Sequence, residues 1–108
     1  MAFSESLARR IRDSLAGTKG LEKKMFGGVG FLLHGNMLVG VWKDSLIVRL
    51  SPGDGQKALA EEHVRPFDIT GKAMKGWVLV EPDGIESDQQ LMEWLRRARE
   101  FVKGLPRK

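Results

Sequence analysis

The sequence has 108 residues, 42% of them hydrophobic and 30% charged, which is the make-up of an ordinary globular chain with room for one core. It contains no cysteine, which excludes disulfides, thiolate metal sites and a cysteine nucleophile. The net charge of +4 is uneven: residues 1–26 hold six Lys or Arg against three Asp or Glu, residues 27–92 six against nine, and residues 93–108 six against two.

The first 15 residues carry Arg9, Arg10 and Arg12 where a signal peptide would need an apolar stretch. No apolar run approaches the ~20 residues of a membrane helix. A cytoplasmic chain without a membrane partner is therefore expected. Phe3, Leu7, Ile11 and Leu15 recur every four residues, with Ala8 beside them, and predict a helix over about residues 4–16. Ser4 is its expected N-cap and Gly17 its stop. Arg9, Arg12 and Asp13 fall on its far face.

An extended segment then starts at Lys23–Phe26, is interrupted by Gly27-Gly28, and resumes over Val29–His34. Gly35-Asn36 is a turn signal, so Met37–Trp42 should fold back as a hairpin partner. Lys43-Asp44 makes a second turn into Ser45–Leu50. The run Ser51-Pro52-Gly53-Asp54-Gly55 breaks the sheet, and Asp54 can cap a short helix over Gln56–Glu62 that Pro66 would prevent from continuing. Residues 67–76 read as a loop with room for a short strand. Trp77–Glu81 is a strand, ended by Pro82-Asp83-Gly84.

The last element is the clearest. Ser87 and Gln90 have the spacing of a capping box, and Leu91, Trp94, Leu95, Ala98, Phe101 and Val102 form one stripe. The order is helix, three strands, helix, one or two strands, helix: an α+β domain with an antiparallel sheet, a single unit over residues 1–108 without repeats.

No chemical signature emerges. In Gly27-Gly28-Val29-Gly30 the position for the third glycine of a dinucleotide fingerprint is Leu33, and a strand follows where a helix is needed. A β-bulge or a close crossing of backbones is expected there instead. His34 and His63 are far apart and belong to no metal-ligand pair, so both read as surface residues and no metal or cofactor is expected. Hydrolase motifs are missing. Glu61-Glu62 and Asp83 with Glu86 are carboxylate pairs explained by solvation of a helix and a turn. Without a nameable acid, base and nucleophile the chain reads as non-enzymatic, with no catalytic residue. Lys72 and Lys75 flank a loop and could hold an anion, although such lysines are usually solvated. Trp42, Trp77 and Trp94 sit in apolar patterns and read as core.

Met25-Phe26-Gly27-Gly28-Val29-Gly30-Phe31 resembles the N-terminal domain of the TfoX/Sxy family. The likeness continues through Gly35-Asn36-Met37, Gly40-Val41 and Asp44-Ser45-Leu46. It returns at Pro66-Phe67-Asp68 and over Gly71–Val78, and includes the Trp94 helix. The resemblance implies a secretion-chaperone-like α+β fold of order α-β-β-β-α-β-β-α. Full-length relatives resemble regulators of natural competence and carry a second, C-terminal domain. This sequence ends at Lys108, so a stand-alone N-terminal domain is expected. The family supplies no catalytic residues, and some relatives bear methyltransferase names although no S-adenosylmethionine site is visible in these residues.

Two functions follow as expectations. One is a regulatory protein-interaction module whose partner is a protein such as a transcription component. The alternative is nucleic-acid binding through the basic ends, with Arg9, Arg12, Arg96, Arg99, Lys103, Arg107 and Lys108 as contacts. A homodimer is expected as well. Met37, Val39 and Val41 alternate with Leu38 and Trp42, and Trp77 and Leu79 with Val78 and Val80, so the strands are apolar on both faces. Three short helices can cover only one of them. The alternative is a strongly twisted sheet that wraps its second face around a helix or loop.

Overall fold

The computed structural model describes residues 4–15, 20–25, 28–33, 35–67 and 75–106. Phe3, Gly17, Phe26, Gly27, His34, Lys72, Arg107 and Lys108, all singled out above, lie outside those residues. The elements in chain order are α1 (Glu5–Ser14), β1 (Gly20–Met25), β2 (Gly28–Leu33), β3 (Asn36–Trp42), β4 (Ser45–Arg49), α2 (Pro52–Ala58), β5 (Val64–Pro66), β6 (Trp77–Val80) and α3 (Asp88–Val102), with a 3-10 turn at Pro82–Gly84. The six strands form one antiparallel sheet in the order β1-β2-β3-β4-β6-β5.

The α+β class holds, with one strand more than the expected order. The interrupted extended segment is two strands, β1 and β2, paired as a hairpin from Gly20↔Leu33 to Met25↔Gly28. Glycine at position 28 has a steric cause. A Cβ there would sit 1.9 Å from the carbonyl oxygen of Val41. The expected close crossing of backbones is therefore present.

Helix α2 starts earlier than expected. Its N-cap is Ser51, whose Oγ accepts from the Asp54 N–H at 3.2 Å, and Pro52 opens the first turn. Proline fits there because its missing N–H would be unpaired in any case. Glycines 53 and 55, read as a breaker, lie inside the helix. Pro66 lies in the edge strand β5, where a missing donor costs no ladder bond if it faces outward.

Both long helices carry their caps. Ser4 Oγ accepts from the Leu7 N–H, and Ser87 and Gln90 complete the capping box in both directions, at 3.1 and 3.0 Å. The core lies between the helices and one sheet face. Leu7, Ile11 and Leu15 from α1 meet Leu91, Trp94, Leu95, Ala98 and Val102 from α3. Both sets pack on Val39, Val41, Leu46, Val48, Val78 and Val80 of the sheet.

The second face is arranged differently from the expected alternation. Phe31 pairs with Val39 but Leu32 pairs with Met37, so Leu38 is an extra residue and β3 is bulged. The bulge turns Leu38 toward the helices and places Met37 with Trp42 on the outer face. There Met37, Ile47 and Leu79 form a second cluster with Phe67, flanked by the half-buried Trp42 and Trp77. Phe67 is fully buried, and its ring lies 5.8 Å from that of Trp77. Gly40, paired with Gly30, leaves room for Met37: a Cβ on Gly40 would come within 2.7 Å of the Met37 Cε. Met37, Ile47, Leu79 and Phe67 on the outer face are thus buried within one chain. Among the described residues of that face no large hydrophobic side chain is fully exposed. The sheet edges are protected too, by exposed Glu22, Lys23 and Lys24 on β1 and by Arg65 and Pro66 on β5.

Candidate functional site

The basic ends do not merge into one stripe. On α1, Arg9 is exposed, and Arg12 donates through two nitrogens to the carboxylate of Glu22 on β1. That contact lowers the Glu22 pKa, chiefly through the hydrogen bond, and raises that of Arg12. On α3, Arg96 is paired with Glu93 at 2.7 Å and Lys103 with Glu100 at 3.1 Å. Arg99 is exposed and has no ion pair among the described residues. Three of the five described candidates for phosphate contact are therefore matched by a carboxylate of the same chain. Arg107 and Lys108 fall outside the described residues.

Two arginines that the sequence did not mark as contacts, Arg10 and Arg97, hold elements together. Arg10 of α1 reaches the Glu86 carbonyl and the Asp88 carboxylate at the start of α3, both at 3.4 Å. Arg97 bonds Glu61 beyond α2 at 2.8 Å and Glu93 at 3.3 Å, and its guanidinium carbon lies 4.5 Å from the Trp94 ring centroid. Arginine and aromatic on α3 therefore stack. The Arg10–Asp88 and Arg97–Glu61 contacts join residues distant in sequence, so no local pattern announces them. Glu93, bonded by Arg96 and Arg97, has its pKa lowered to about 2 by those hydrogen bonds, against a usual value near 4.5.

The nearest approach to a chemical cluster is a cleft of about 380 Å³ lined by Glu61, Glu62, His63, Asp83, Glu93 and Arg97. Glu61 and Glu93 are engaged by Arg97, and His63 is exposed, with its Nε2 3.8 Å from Glu62. Among the described residues no group of His, Asp or Glu is placed to hold a metal ion. No described helix is long and apolar enough to cross a membrane.

A concavity of about 1040 Å³ is an open groove along α3. It runs from Ser87 past Met92 and Leu95 to Arg96 and Arg99, and Ser14 at the end of α1 closes one side. Met92 is 57% exposed, the one large hydrophobic side chain so exposed among the described residues. The sequence reading passed over it because Met92 falls outside the apolar stripe of α3.

A six-stranded antiparallel sheet with helices packed on one face defines a small α+β domain. Residues 14–102 match the family model of the TfoX N-terminal domain, and the chain belongs to that family. No curated protein and no solved structure matches the chain.

Proposed function

We propose that this chain is a non-enzymatic regulatory module of the cytoplasm that acts by binding another protein, as the N-terminal domains of competence regulators are expected to do. The observation that carries this reading is the α3 groove. Its floor is apolar at Met92 and Leu95, and its rim carries Arg96 and Arg99. An exposed methionine is an adaptable anchor for an incoming apolar side chain. Arg99, with no carboxylate partner among the described residues, suits an acidic residue beside that anchor. The partner that fits is thus an acidic amphipathic segment of a transcription component.

The test compares capture by the native chain with capture by Met92→Glu from the same lysate in mild salt. The side chain is exposed, so folding stability should change by no more than about 0.5 kcal/mol, the range of surface substitutions. The reading expects an acidic partner, identified by mass spectrometry, that the native chain retains and the variant loses. Retention that ignores Met92→Glu, or none at all, counts against it.

Nucleic-acid binding is the alternative. Arg9 and Arg99, unpaired among the described residues, favour it, and the carboxylate partners of Arg12, Arg96 and Lys103 weaken it. Fluorescence anisotropy with duplex and single-stranded probes decides: binding that falls steeply with salt would establish it, and no binding at low salt would end it.

A further inference from the structure

Three arginines among the described residues are partly withdrawn from water: Arg10, Arg49 and Arg97. Arg10 has Asp88, and Arg97 has Glu61 and Glu93. Arg49, the last residue of β4, has no such partner. Its guanidinium carbon lies 5.2 Å from the ring centroid of Trp77, its cross-strand neighbour, and 5.8 Å from that of Phe101 on α3. No carboxylate or carbonyl oxygen among the described residues accepts a hydrogen bond from it.

Aromatic faces attract the charge but cannot accept in-plane N–H bonds as an oxygen does. A guanidinium has five such donors in a fixed fork. Partial burial of that charge without a counter-ion is unfavourable, and the penalty is recovered when an anion binds. The stack is open, since Trp77 and Phe101 are themselves only half-buried. The ladder also runs on past the Arg49–Trp77 pair, with the Leu50 N–H donating to the Gly76 carbonyl at 2.7 Å. Lys75 follows at that end, exposed and without an ion pair among the described residues, so the nearby charge in sequence is positive.

We propose that Arg49, resting on Trp77 and Phe101, is an oxyanion subsite that takes a carboxylate or a phosphate group. The subsite is independent of the α3 groove and of the function proposed for it. Its test is a titration of the whole chain, labelled with nitrogen-15, against inorganic phosphate and separately against acetate, with ionic strength held by chloride. The readout is the arginine Nε–H signals. That of Arg49 is assigned by its loss in Arg49→Gln, or in Arg49→Lys if the first variant does not fold. Arg99, exposed and unpaired, is the internal control. The Arg49 signal should saturate at a concentration about ten-fold lower or more than that of Arg99, as a charge-assisted bond made partly out of bulk water requires. Saturation with phosphate alone, or with acetate alone, identifies which oxyanion the site takes. Parallel, unsaturated shifts of Arg49 and Arg99 with both anions would overturn the proposal.

Discussion

At the scale of single residues the helix stripe was legible and the partners of the polar side chains were not. Trp94 is 7% exposed, at the centre of the α3 face that the periodicity assigned to the core. Trp94→Ala should cost roughly 3–5 kcal/mol in denaturant melts, the range for large aromatic truncations in a core. A change no larger than that of a surface substitution, about half a kcal/mol, would show that the helix presents another face. Asn36 shows the opposite case. Next to Gly35 it read as part of an exposed turn, yet it is 2% exposed, and its Nδ2 donates to the Pro106 carbonyl at 2.8 Å. That bond ties the start of β3 to the chain beyond α3. Its partner lies 70 positions away, and a turn-forming residue type gives no local sign of it.

At the scale of elements, α1, α3, the β2–β3–β4 meander and the strand at Trp77 could be read from period, caps and turns. Two features could not. The bulge at Leu38 leaves the residue types unchanged but reverses the face of Met37, and strict alternation has no means of detecting it. Helix α2 holds Pro52, Gly53 and Gly55, all of which signal a break. It forms because Ser51 caps it and because Gly55 packs against Gly76, where a Cβ would meet the Gly76 Cα at 2.5 Å. The two glycines should therefore respond with opposite sign. Gly53→Ala enters open space and should stabilise the chain by about 0.4–1 kcal/mol through the unfolded state. Gly55→Ala should destabilise it by about 1–3 kcal/mol through overpacking. Thermal melts of both variants check this, and equal signs would show that α2 does not lie on the β6 turn as described.

Helix α3 also carries a pH signature. The Glu93 carboxylate is held to a pKa of about 2 by its hydrogen bonds from Arg96 and then Arg97. Its folded pKa is depressed, so the stabilisation is fully present above the unfolded value of about 4.3. It is lost as pH falls from there through about 2. The stability difference between the native chain and Glu93→Gln should accordingly be constant near neutrality and shrink across that acid window. The effect should be modest, because the Glu93 side chain is 44% exposed and solvent screens it. A difference independent of pH from 7 to 2 would show that the carboxylate is not held by the two arginines.

At the scale of the whole molecule, described residues on both sheet faces are buried within one chain, and Met92 on α3 is the large apolar side chain left exposed among the described residues. Composition and alternation showed correctly that both sheet faces are apolar. They could not show that Phe67 turns back over Met37, Ile47 and Leu79, because that contact depends on where the chain goes after β5. The groove was illegible for a related reason: Met92 matters only because α1 ends beside it. Closure of the outer face within one chain decides its occupant, since an open face would make a second copy, rather than a foreign partner, the natural one. Light scattering coupled to size exclusion at micromolar concentration tests it most directly. A single species at the 12.1 kDa mass of one chain is expected. A stable species of twice that mass, dispersed to monomer by a charge placed at Ile47 or Leu79 in the outer cluster but not by Met92→Glu, would contradict it.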